Sequence, residues 1–102
     1  MLELRPNCEL CDRDLPPESP DARICTYECT FCAPCVEDVL RNVCPNCGGG
    51  FVPRPIRPAT ARRPGVSRVH QPPSEKRVHT KRSREEIEAF AAQHAGVAPE
   101  NR

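Results

Sequence analysis

The sequence has no tryptophan, one tyrosine and three phenylalanines in 102 residues, which leaves no material for a large aromatic core or for a platform on which nucleobases stack. No apolar run approaches the roughly 20 residues that cross a bilayer. The opening MLELRPNCEL has charged residues where a secretory signal has an apolar stretch. These absences lead us to expect a cytoplasmic protein in a reducing compartment. Cysteine is missing from the last 55 residues, and all eight cysteines lie between Cys8 and Cys47. Thirteen prolines and a mean hydropathy of -0.62 exclude a uniformly packed chain.

The formal net charge of +1 hides a division. Residues 1–51 hold four Arg/Lys against nine Asp/Glu, residues 52–84 hold ten against one, and residues 85–102 hold one against four. An acidic cysteine-rich domain (1–51) is thus followed by a basic, Pro/Arg-rich stretch (52–82), which composition predicts to be a disordered linker. In SREEIEAFAAQHAG, Ser83 as N-cap and Glu86 three residues on form a capping box. Ile87, Phe90, Ala91 and His94 recur at helical spacing, and Gly96 stands as a stop. This predicts a short amphipathic helix within 83–96, ahead of a disordered C-terminus at 97–102. Alone in water such a helix is marginal, so it docks on the head, dimerises or folds on a partner.

About 50 residues bury too little to fold without a staple. The cysteines supply one as C-x2-C (Cys8, Cys11), C-x3-C (Cys25, Cys29), C-x2-C (Cys32, Cys35) and C-x2-C (Cys44, Cys47). Four regular pairs in a chain without an export signal read as metal ligands rather than disulfides. Eight ligands make two tetrahedral four-cysteine sites, and a closed shell of four thiolates is structural because no position remains for water or substrate. The expected cofactor is therefore two structural zinc ions. In a cross-brace, Cys8, Cys11, Cys32 and Cys35 bind one ion and Cys25, Cys29, Cys44 and Cys47 the other. Sequential pairing gives two zinc-ribbon-like sites instead, and the CPNCG knuckle also suits iron.

The order of the pairs, a short VEDVL helix after the third and C-P-x-C as the fourth resemble the RING finger family over about residues 8–53. That resemblance implies a small metal-stabilised α+β fold of treble-clef character. It also implies recruitment of ubiquitin-conjugating enzymes through an apolar residue in the first pair and a proline near the last. Leu10 and Pro45 match; the helix has no Trp, and Gly48 stands where a basic residue is common. More specifically, MLELRPNCELCDRDLPP, CTFCAPC and CPNCGG resemble a family of short bacterial proteins known as a domain of unknown function.

His70, His79 and His94 lie outside the head and read as tail residues. Asp12, Asp14, Glu37 and Asp38 read as a solvated acidic face, and no nucleophile, base and orienting group assemble into a catalytic set. The expected function is non-enzymatic: a binding or adaptor module for a protein partner, with contact candidates at Leu10, Leu15 and Pro45 and on the Ile87/Phe90 helix face. Three alternatives are nucleic-acid association through basic residues 52–84, ligase-like activity as in RING fingers, and a zinc-thiolate switch sensitive to oxidation.

Overall fold

A computed structural model describes all residues, 1–102. Strands β1 (Ala22–Ile24) and β2 (Thr30–Cys32) form an antiparallel hairpin, and β3 (Val52–Pro53) adds to the free side of β1, giving the order β2-β1-β3. Proline is tolerated in β3 because that strand lies at the sheet edge. The chain leaves β2 directly into α1 (Ala33–Cys35), where Pro34 sits in the first turn and presets the helical φ at a position with no internal N–H partner. A wide π turn (Val36–Leu40) follows, and the left-handed residues Arg41 and Asn42 end it.

Phe31, Leu15, Leu40 and Val43 are almost fully buried, and Phe51 meets Phe31 edge-on with ring centroids 5.4 Å apart. Most of the cysteines line the same core. Sulfur groups and apolar packing therefore share one small interior.

Helix α2 (Arg84–His94) begins as the sequence predicts, with Ser83 Oγ accepting from the Glu86 amide at 3.1 Å. The Glu86 carboxylate does not close the capping box; it accepts from Arg82 at 3.1 Å instead. Of the alternatives for this helix, docking on the head is the one realised: Ile87 is 1 % exposed and joins the core. Gly96 stays out of the left-handed region. The stop is made by the Val97 amide bonding to His94 O, followed by a 3₁₀ turn (Pro99–Asn101).

Residues 52–82 and 97–102, expected from composition to be disordered, have a fixed course in contact with the head. Composition counts apolar side chains, whereas this segment is tied by polar bonds. Arg54, only 4 % exposed, donates to the carbonyls of Arg5, Leu15 and Pro16. Arg57 reaches Leu2 O at 2.7 Å, and Arg68 pairs with Glu18 at 3.1 Å. The amides of Ser74 and Thr80 bond to Leu4 O and Glu9 O. At the far end Arg102 donates to Asn42 O and Gly48 O. The expected contact face is also altered, since Leu15, Pro45 and Ile87 are buried within the chain and Leu10 is half-buried.

Candidate metal centre

The first and last pairs, Cys8/Cys11 and Cys44/Cys47, each sit on a turn that brings both sulfurs into one group. In the first, the Asp12 amide bonds back to Cys8 O at 2.9 Å, and Asp12 takes φ 63°. In the last, the Gly48 amide bonds to Cys44 O at 2.7 Å, with Gly48 at φ 79°. The two knuckles are built alike, with one left-handed residue just after the second cysteine. Glycine takes that conformation without strain, and Asp is among the residues that tolerate it. Cys25 and Cys29 bracket the β1–β2 turn, closed by Glu28 N to Cys25 O and by Glu28 at φ 65°. Cys32 ends β2, and Cys35 follows one helical turn later in α1.

The sulfurs of Cys8, Cys11, Cys32 and Cys35 all lie within 4.8 Å of one another, as do those of Cys25, Cys44 and Cys47. Cys29 is not among the three sulfurs of the second group; it stands beside them, with Asn46 Nδ2 3.4 Å from its own sulfur. First pair thus meets third, and second meets fourth, so the two groups interlace along the chain. Cys11 and Cys32 sulfurs are 3.8 Å apart. Metal–sulfur bonds of about 2.3 Å in a tetrahedron give sulfur–sulfur edges of about 3.8 Å, whereas a disulfide needs about 2.05 Å. The donor set and its spacing fit a four-sulfur metal ion.

Backbone N–H groups point at the sulfurs, as an anionic thiolate requires: Tyr27 N to Cys25 Sγ at 3.3 Å and Gly49 N to Cys47 Sγ at 3.4 Å. Without a cation the thiols cannot all ionise together. Burial pushes Cys8 and Cys25 up to about 11. Cys44, which donates to Cys29 and is buried, is also raised, while Cys29 is lowered by the same hydrogen bond. For Cys11, burial opposes ionisation but is outweighed by the Arg13 amide and by neighbouring sulfurs, so its thiol is lowered. A bound dication reverses this division of protons by holding every sulfur as thiolate.

Residues 1–57 match the family described as "Protein of unknown function (DUF1272)". The chain belongs to this family. An uncharacterized protein of Rhizobium meliloti (strain 1021) is 70% identical over 60 residues, which is 59% of this chain and 71% of that protein. No solved structure matches. The family region takes in all eight cysteines, all three strands and Arg54.

Sequence reasoning missed the polar shell of the second group. Asn46 Nδ2 lies within hydrogen-bonding reach of both Cys29 Sγ and Glu9 Oε1, and Arg5 faces the other Glu9 oxygen at 3.4 Å. Burial first, and then the nearby Cys29 charge, raise the Glu9 carboxyl above its ordinary range. The only sequence signal was Asn46 lying inside the knuckle C-P-N-C; nothing near Glu9 marks it. None of the three histidines joins either sulfur group. His79 Nε2 lies 3.1 Å from Leu10 O, His70 bonds Ser67 Oγ at 2.9 Å, and His94 meets the Phe90 ring. No helix is long and apolar enough to cross a membrane.

Proposed function

We propose that this protein is a small adaptor, active in the reducing cytoplasm, whose head is built around two structural zinc ions and whose work is to bind another protein. The observation that carries the reading is the convergence of Cys8, Cys11, Cys32 and Cys35 within 4.8 Å, with tetrahedral spacing and no disulfide. Four thiolates close the shell of a d¹⁰ ion and leave no position for a reacting water. Zinc therefore serves here as a cross-link. Each ion replaces apolar burial that a head of this size cannot supply.

Two alternatives find less support. Most of the strap arginines are engaged by the head, which leaves mainly Arg62, Arg63, Lys76 and Lys81 for a nucleic acid. A RING-like contact for a conjugating enzyme needs Leu10 and Pro45 free, but His79 lies against Leu10 O and Pro45 is buried beside α2. The test is native mass spectrometry with elemental analysis, on the wild type and on Cys25→Ser. The expected result is two zinc ions in the first and one in the second. A single metal, iron, or intramolecular disulfides would overturn the reading.

A further inference from the structure

Residues 74–80 lie on the head much as a peptide lies in a groove. They run alongside Leu4–Glu9 in the same direction. Ser74 N bonds Leu4 O at 3.0 Å, Asn7 Nδ2 donates to Val78 O at 2.8 Å, and Thr80 N bonds Glu9 O at 2.8 Å. Between these backbone contacts the Arg77 guanidinium forks onto two acids of the head, Asp14 Oδ1 at 2.6 Å and Asp12 Oδ1 at 3.0 Å, with Asp12 O also at 2.6 Å. Main-chain bonds for affinity and one side-chain anchor for selectivity are the marks of extended-peptide recognition.

The fit of the chain's own segment is incomplete. Beside Ser74 a cleft of about 430 Å³ is lined by Leu4, Pro6, Pro16, Pro17 and Pro73, with Asp14 and Arg77 also in its walls. Ser74, three residues before the arginine, has a side chain too small to fill it. The ion pairs to Asp12 and Asp14 are exposed, and exposed pairs hold weakly. The segment is seated by these few bonds together with its covalent tether, and a short tether supplies an effective concentration of about millimolar order that a separate peptide must match.

We propose that this groove is a binding site for an extended basic peptide of a partner protein, carrying an apolar residue three positions before an arginine, and that residues 74–80 cover it in cis. This rests on the reading of the chain as a binding module and names the chemistry of its partner. The partner's arginine takes the place of Arg77 between Asp12 and Asp14. Its apolar side chain fills the proline-lined cleft that Ser74 leaves open, and that gain lets a separate peptide displace a tethered one.

The test uses the full chain and two labelled peptides, one with the sequence of residues 74–80 and one carrying Ser74→Leu, with fluorescence anisotropy as readout and zinc content measured on every sample. Arg77→Glu sets like charges face to face and frees the groove. Both peptides are expected to bind this variant at least about tenfold more tightly than wild type, since the tethered competitor is lost. The Ser74→Leu peptide is expected to bind more tightly than its parent. Adding Asp12→Lys and Asp14→Lys to Arg77→Glu restores the closed strap with reversed charges and is expected to abolish peptide binding. If Arg77→Glu keeps its zinc and binds neither peptide, the groove is refuted while the zinc-built head stands. If the wild type holds no zinc, the reading of the head fails first and the proposal falls with it.

Discussion

Residues 1–57 and 58–102 are held in place by different physics. The first segment has the cysteines and nearly all the buried side chains; of 23 buried residues only Ser67, Ile87 and Ala91 lie in the second. The head is packed around two sulfur groups in its interior, whereas the extension is laid on by hydrogen bonds, exposed ion pairs and one inserted isoleucine. It follows that the extension depends on the head for its shape. The dependence in the other direction is smaller: Ile87 fills a hollow in the core, and the buried Asn7 side chain donates to Val78 O.

On the proposed zinc reading, the sharpest way to break this contrast is to remove the metal. Binding a structural zinc ion is worth about 10–16 kcal/mol in small zinc domains and is largely folding energy, so a strong chelator is expected to unfold the head and release the strap with it. Amide exchange would then show Thr80 and Phe31 losing protection together. A Thr80 amide that stays protected after chelation would mean the strap has stability of its own. Next in size is Ile87→Ala, which empties a fully buried site and is expected to cost about 2–5 kcal/mol. The melting temperature should fall while the metal content stays unchanged; loss of metal in this variant would show that the head needs α2 more than the contrast allows. The smallest effect is that of salt. Raising it from about 0.05 to about 0.5 M shortens the screening length and is expected to speed exchange at Thr80 modestly, with Phe31 unaffected. Equal acceleration at both would erase the boundary between the two regions.

The gathering of cysteines in two groups, four in one and three with Cys29 beside them in the other, is legible in the sequence, because knuckle spacing is local and a C-x2-C turn permits few geometries. Helix α2 is legible for the same reason: Ser83, the apolar spacing and the acidic first turn all act within one element. The three-residue strands are not, since their pairing partners stand six or more positions away and ARI or TFC has no run to mark it. Least legible is the strap. Arg54, Arg57 and Arg77 find carbonyls and carboxylates tens of residues distant, and a basic, proline-rich composition is the same whether those partners exist or not. Disorder was the inference from local signals, and order came from contacts that local signals do not carry.

That every cysteine precedes residue 48 has a consequence for how the protein is made. All eight cysteines are synthesised before the 33 residues that lead from Cys47 to Thr80, the end of the segment covering the groove, and at about 5–20 residues per second those take about 2–7 s more. During that interval a nascent head that has taken up its ions would stand with the groove along Leu4–Glu9 uncovered. A partner present at the ribosome would meet this surface before the chain's own tail does.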